Sequence, residues 1–446
     1  MVDAIKKIRI TAFALDSSLE GEYKIADHLN LCGKAVKDIG FIPISDLYAD
    51  KENPDAIKIA CLKEGVEPTE EEKKILLNYG IKAYSYELIE PALRAAANGM
   101  TVEAVAYFPK LPKGFSFEAQ ACGIKKSNKL DFGLIESSSP CIWAGTFTQN
   151  KARAFCVEEN LTSYDSKVKV VACNSGNANA CTGEAGAKAD RAVRKAIAEA
   201  KSIEAKEVLF ASTGGIGIVL PSEKITNVIA SDKAVIAKQT KQIKSFAQAI
   251  LTTDLCIKIS QDSKQNFLGV AKGSGMIHPN MATMLAFIIT DKKIKGLNEA
   301  QTKAFMQECL SEAVDKSFNS ITVDGDTSTN DSCFLLNNLE GEEISKEEFK
   351  ASLEELTKDL AYKIACDGEG ITKLTRLKLK SDFEDVDARK LGRFILNSSL
   401  VKTAIFGNDP NWGRIVSSCG QYCAENDLDL NLTKVNLKIL DTKIFE

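Results

Sequence analysis

The sequence predicts an α/β protein of layered sheets and covering helices, with an extra α/β unit at its N-terminus. Three observations lead there. Short runs of strand length recur, among them 167–173 (KVKVVAC), 208–211 (VLFA) and the unbroken apolar run 284–289. Segments with helical periodicity lie between them, and strands interleaved with helices make layers. The texture also changes from Phe115 onward, and 446 residues leave room for two or three domains.

The elements follow in order. Residues 7–15 (KIRITAFAL) alternate as a strand does. Thr69 with Glu72 makes a capping-box pattern ahead of Ile75, Leu76 and Leu77, so a helix starts there. Residues 91–97 read as a second helix, stopped at Asn98-Gly99. The stretch 109–114 (PKLPKG) is punctuated as a linker. This divides the chain into a unit over 1–107, in which no chemistry is legible, and a larger region over 108–446. Within the larger region the strand 167–173 ends at Asn174-Ser175-Gly176-Asn177-Ala178-Asn179, which reads as a loop of turn residues. Residues 187–200 place Val193, Ala196, Ile197 and Ala200 on one helical face. Helices follow over 299–317 and 347–366, the second aligning Phe349, Leu353, Leu356, Leu360 and Ile364. Residues 374–379 (LTRLKL) read as a short strand.

Composition excludes several classes. The net charge of −4 leaves no electrostatic footprint for nucleic acid. No apolar run reaches the length of a membrane span, and the first residues lack a signal-type apolar core, so the cytoplasm is the default location. Thirteen cysteines are scattered without a CxxC pair, the nearest two being Cys419 and Cys423. Reduced, mostly buried thiols are expected rather than a disulfide framework. Two histidines, His28 and His278, argue against a histidine-rich metal site and leave few imidazoles for acid–base work.

The segment 272–291 (KGSGMIHPNMATMLAFIITD) is the most informative. A glycine-rich run leads to Thr283 at the edge of the apolar run. Taken alone, such a threonine is an ordinary strand residue. If the chain were cut before it, Thr283 would carry a hydroxyl and a free α-amine. With a reference pKa of about 7.7–8.0, that amine can act as base to its own hydroxyl. Four further segments have plain loop readings when each stands alone. Residues 210–217 (FASTGGIG) run from a strand into small residues whose backbone N–H groups could form an oxyanion hole. Thr252-Thr253-Asp254 could bond an amide or cap a turn. Residues 367–373 (DGEGITK) hold an acid in a glycine loop, able to receive an ammonium group or only solvated. Residues 406–415 (FGNDPNWGRI) mark a tight loop. Residues 324–331 (DGDTSTND) begin like a calcium loop but lack its spacing and closing glutamate.

Together, in one order from about 115 to 440, these segments resemble the ornithine acetyltransferase family, the glutamate N-acetyltransferases of arginine biosynthesis. The matching stretches are NSGNANACTG at 174–183, ASTGGIG at 211–217, TTD at 252–254 and AKGSGMIHPNMATMLAFIITD at 271–291. DGDTSTNDS at 324–332, DGEGITKL at 367–374 and LVKTAIFGNDPNWGRI at 400–415 complete the set. The resemblance implies a four-layer α/β/β/α sandwich and autocatalytic cleavage between Ala282 and Thr283. The new N-terminal Thr283 would be the nucleophile, taking acetyl from N-acetylornithine and passing it to glutamate. Thr213 through its hydroxyl and Gly214 through its N–H would form the oxyanion hole. Thr252, Lys272, Thr283 and Glu369 would contact substrate. The resemblance implies no metal or organic cofactor, leaves acetyl-CoA open as a second donor, and suggests α and β chains assembled as a heterotetramer or larger. No nucleic-acid or membrane partner follows from it.

The chain departs from that pattern at both ends. The family starts near Phe108, and it continues several tens of residues past Glu446, where an Asn and a Ser or Thr would complete the substrate contacts. Reduced or lost activity is one expectation from this. Gly215 also stands where a larger residue is usual. Two other classes stay open: an N-terminal-threonine amidase or aminopeptidase, with water as acceptor, and an inactive truncated or chimeric relative.

Overall fold

The computed structural model describes four strands within residues 1–108 and nearly all of 109–446. Outside the described residues lie 127–128, 232–242, 279–283, 381–382, 384, 432–434, 440–441 and 446. The four strands are β1 (Ile10–Ala14), β2 (Gly40–Pro43), β3 (Ile57–Leu62) and β4 (Lys82–Ser85). They pair in parallel in the order β2-β1-β3-β4, as a sheet of their own. The strand expected over 7–15 is β1; the helices expected at Thr69–Glu72 and over 91–97 fall outside the described residues.

The larger region is built on eight paired strands. β5 (Phe115–Gln120) pairs with the long β6 (Phe132–Phe147). Helix α1 (Phe155–Thr162), β7 (Val168–Asn177), helix α2 (Gly183–Lys201) and β8 (Val208–Gly215) follow. Helices α3 (Ser222–Ser231) and α4 (Ile243–Ala249) lead to β9 (Lys258–Gln261), β10 (Leu268–Lys272) and β11 (Leu285–Thr290). Short β12 (Lys293–Ile294) pairs with β14 (Glu343–Ile344), and β13 (Ser332–Asn337) lies between them in sequence. The order is β8-β7-β6-β13-β11-β10-β9, with β5 against β6.

β6 joins two halves of this sheet. Phe132–Glu136 pair with β7, Ile142–Phe147 pair with β13, and the register breaks between Glu136 and Cys141. Pro140 sits in that break, where its missing N–H costs the ladder least. The two parallel pairs, β7–β8 and β11–β13, are each spanned by a helical crossover: α2, and α5 (Glu299–Asp315). β11 shows how the layers form. Leu285, Phe287 and Ile289 enter one core with Trp143 and Phe334, while Ala286 and Ile288 face a second core. That second core holds α5 and α6 (Lys346–Cys366) through Met306, Leu310, Phe349, Leu353 and Leu356. On the far side, α2 and α3 cover the first half-sheet with Val193, Ile197, Ile225 and Ile229. Phe246 of α4 wedges between Phe117 of β5 and Phe287 of β11, with ring centroids at 5.6 and 5.1 Å. The layer order is thus helix, sheet, sheet, helix, as expected.

Two sequence readings need correction. Residues 174–177 are not a loop: β7 continues through Asn177, all four paired with β8 and Asn174 also with Phe132 of β6. Its polar side chains are satisfied inside the protein. Asn174 accepts from Ser212 Oγ at 2.7 Å and donates to the Asn177 carbonyl at 2.8 Å, and Asn177 donates to the Ile218 carbonyl at 3.1 Å. Residues 374–379 form no strand. Among the described residues nothing lies alongside to complete a ladder. Leu377 instead packs against helices α7 (Asp385–Asn397), α8 (Ser399–Phe406) and α9 (Trp412–Glu425), whose core is Leu391, Ile395, Val401 and Tyr422. β15 (Leu437–Ile439) and β16 (Thr442–Phe445) close the described chain as a hairpin.

A candidate active-site cleft between the sheet ends

A cleft of about 1070 Å³ opens where β8, β10 and β11 present their ends. Thr213 and Gly214 line it from the end of β8, Lys272 from the end of β10, and Thr252 and Glu369 from loops. Five residues read from the sequence therefore meet in one place. Ala282 and Thr283 lie outside the described residues, but Met284, next in the chain, is buried and lines the same cleft. Residues 406–415 are not brought there: among the described residues of that segment, Phe406 lines a separate hollow beside α8.

Gly214 is set by sterics. Its φ of +137° and its pairing with Gly176 leave no room for a side chain, since a Cβ would overlap the backbone of Gly176 and Asn177. The strand beneath it is held firmly. Arg194 of α2, buried with Asp190, donates to the Val208 carbonyl at 2.7 Å and to Asn160 Oδ1 at 3.0 Å. Asn160 of α1 in turn bonds both the N–H and the carbonyl of Phe210. Asn330, near the end of the run 324–331, ties that run in, donating to the carbonyls of Ala178 at 2.6 Å and Ser212 at 2.9 Å.

Lys272 is the electrostatic centre. Its Nζ donates to Thr252 Oγ1 at 2.8 Å and to Thr213 Oγ1 at 3.3 Å, and pairs with Asp254 Oδ2 at 3.6 Å. Asp254 was legible only as the acid closing a Thr-Thr-Asp turn, yet it is a fully buried hub. It accepts from Gly273 N–H at 2.6 Å, Lys258 Nζ at 2.8 Å and Thr252 N–H at 3.2 Å. Burial by itself raises such a carboxyl, but the ammonium groups of Lys272 and Lys258 outweigh it and hold Asp254 well below the usual carboxylate range. Lys258 also donates to Asp367 Oδ2 at 2.7 Å, and Asp367 accepts from Leu255 N–H at 3.0 Å. Burial opposes the charge on Lys258, and Asp254 and Asp367 outweigh that and hold its ammonium above its ordinary range. The one signal in the sequence was the four-residue spacing of Asp254 and Lys258.

The glycine-rich segment before Thr283 is pinned from two sides. Ser274 Oγ donates to the Asp367 carbonyl at 2.7 Å, and Glu369 N–H donates to the Ser274 carbonyl at 3.0 Å, which sets Glu369 beside Gly275. Asp324 accepts from the N–H groups of Met276 at 2.5 Å and Ile277 at 2.9 Å. This is what the calcium-like run does: it fastens backbone. No His, Cys, Asp and Glu group suited to a metal ion occurs among the described residues. Eleven cysteines between Cys122 and Cys423 are free, nine of them buried. No described helix is long and apolar enough to cross a membrane.

Chemically, the cleft offers a hydroxyl and a constrained glycine at a strand end, the Lys272 ammonium held by two threonines and Asp254, and the exposed carboxylate of Glu369. The ArgJ family model matches residues 116–446. The arginine biosynthesis bifunctional protein ArgJ of Dehalococcoides mccartyi is 43% identical over 337 residues, covering 72% of this chain and 80% of its own length. The ArgJ protein of Lactococcus lactis is 42% identical over 345 residues, covering 74% and 83%. A crystal structure of ornithine acetyltransferase complexed with ornithine from Mycobacterium tuberculosis is 32% identical, covering 38% of this chain and 93% of that one, with a TM-score of 0.34. The chain belongs to the ArgJ family, the bifunctional proteins of arginine biosynthesis.

Proposed function

We propose that this chain cuts itself between Ala282 and Thr283 and then transfers acetyl from N-acetylornithine to glutamate through an acetyl-threonine intermediate. The observation that carries this is the convergence of Thr213, Gly214, Thr252, Lys272 and Glu369 on one cleft, which Met284 also lines. In the reaction the Thr283 α-amine takes the proton of its own hydroxyl, and the oxygen attacks the acetyl carbonyl. The Thr213 hydroxyl and the Gly214 N–H meet the charge that develops on the carbonyl oxygen. Collapse of the adduct breaks the amide bond, the proton passes to the leaving nitrogen, and ornithine departs. The α-amine of glutamate then attacks the ester, and N-acetylglutamate leaves as the hydroxyl recovers its proton. Lys272 binds the α-carboxylate. Glu369 pairs with an ammonium group. No cofactor takes part, and acetyl-CoA is open as an alternative acetyl donor. The cleaved α and β chains stay together, as a heterotetramer or larger.

Mass spectrometry of the denatured chain tests the first step. Fragments 1–282 and 283–446 are expected, and an uncut chain would defeat the proposal. Thr283→Ala should abolish cleavage and transfer while the fold persists. Ornithine release that depends on glutamate supports the transferase, whereas acetate release without it would make the protein a hydrolase.

A further inference from the structure

The two substrates of the proposed transfer differ at the end away from the acetyl group. N-acetylornithine ends in an ammonium group and glutamate in a carboxylate. One cleft must therefore accept a cation and then an anion at the same place. Glu369 meets the first demand; the second needs a cation not already committed.

Three lysines line the cleft: Lys125, Lys129 and Lys272. Lys272 is held by Asp254, Thr252 and Thr213. Lys129 is exposed. Lys125 differs from both. It is half-buried, and its Nζ donates to the Leu130 carbonyl at 3.0 Å. Among the described residues no carboxylate lies within ion-pair distance of it. Among the described residues the Leu130 carbonyl is also the acceptor its ammonium group meets, which leaves two of three protons for a ligand. Its backbone is fixed by the buried Asp131, which accepts from the N–H groups of Cys122 at 2.6 Å, Ile124 at 2.6 Å and Lys125 at 2.9 Å. Its stem crosses Gly176, with Cγ 3.2 Å from where a Cβ would stand. From there it lines the same cleft as Glu369.

The geometry points to Lys125 as the subsite for the side-chain carboxylate of the acceptor, an inference that rests on the acyl-transfer reading above. Burial pushes the Lys125 ammonium below its ordinary range, with Asp131 acting the other way. An incoming carboxylate would offset that desolvation, whereas an incoming ammonium would be repelled toward Glu369. The lysine thus selects glutamate over amino acids with neutral side chains.

Ping-pong kinetics make the test specific, because kcat/KM for each substrate reports its own half-reaction. Lys125→Gln should lower kcat/KM for glutamate on the order of 10- to 100-fold, the range for a lost charge-assisted hydrogen bond. The same constant for N-acetylornithine should hold, glutamine should gain as an acceptor relative to glutamate, and Lys125→Arg should recover most of the loss. An unchanged constant for glutamate overturns the subsite. An equal loss in both half-reactions also overturns it, because that marks a structural lysine. A wild-type chain that makes no transfer at all brings down the acyl-transfer reading and this subsite together. Transfer by the wild type with full glutamate use by Lys125→Gln brings down the subsite alone.

Discussion

Gly214 is the residue with least freedom to change. Its φ of +137° is closed to L side chains, and a Cβ would strike the paired strand. Gly214→Ala should therefore cost about 1–3 kcal/mol in strain and spoil the strand end that carries Thr213. Thermal unfolding together with the transfer rate would show this; a stable, active alanine variant would contradict it. Thr213→Ala should leave stability alone and slow transfer by about 10²–10³ if its hydroxyl is an oxyanion donor. Asp254→Asn leaves Lys258 and Lys272 without their shared carboxylate. Breaking such a buried pair costs about 3–5 kcal/mol, readable in denaturant titrations at neutral pH. Because the folded value of Asp254 lies below its unfolded one of about 3.9, its stabilisation is complete above that pH. It is lost as pH falls toward the folded value, so the variant should lose part of the wild type's acid sensitivity below about pH 4. At this scale the sequence was partly legible. Thr213, Thr252, Lys272 and Glu369 stood in recognisable motifs, but the buried role of Asp254 did not, since an acid in a turn and an acid in a core look the same in one dimension.

Among elements, β11 is where pattern and packing agree most closely. Phe287 stacks on Phe334 of β13 with centroids at 5.6 Å, and meets Phe246 edge-on at 5.1 Å. It spans the inner layer, so Phe287→Ala should cost about 3–5 kcal/mol in unfolding free energy. A loss under about 1 kcal/mol, typical of a surface substitution, would show that the two half-sheets do not depend on this contact. Helices read well from the sequence. The runs expected over 187–200, 299–317 and 347–366 became Gly183–Lys201, Glu299–Asp315 and Lys346–Cys366. Each carries its own periodicity, and Asn298 and Ser345 cap the latter two. Strands read less well. Asn174–Asn177 looked like turn residues and were strand, because pairing with β8 and internal side-chain bonds support them. Residues 374–379 looked like strand and were not, because pairing needs a neighbour that local sequence cannot supply.

For the molecule as a whole, the cleft forms where segments far apart in the chain meet at the sheet ends, and its acid response should show that construction. His278 sits half-buried beside Thr322, just before the segment that holds Thr283. Burial, then the charge of Arg393, lowers its pKa to about 4. Its unfolded value of about 6.5 is higher, so the unfolded chain takes up the proton first. Stability should thus fall as pH drops from about 6.5 toward 4 and should not fall further on this account below that. His278→Gln should flatten this limb, while the limb below pH 4 due to Asp254 remains. Denaturant titrations across pH 7 to 3 would separate the two, and an unaltered slope in the variant would rule out His278 as the cause.

The sequence by itself determined the α/β class, the main helices and the family, because periodicity and motif order are local and additive along the chain. It also named most residues of the cleft, since each motif keeps its identity wherever it folds. Only the tertiary structure decided which of them meet, that Asp254 and Lys258 form a buried hub beside Lys272, and that Lys125 reaches the cleft. Those facts depend on burial and on distances between segments up to a hundred residues or more apart, as between Lys258 and Asp367. A charge's environment, unlike its identity, exists only once the chain has closed around it.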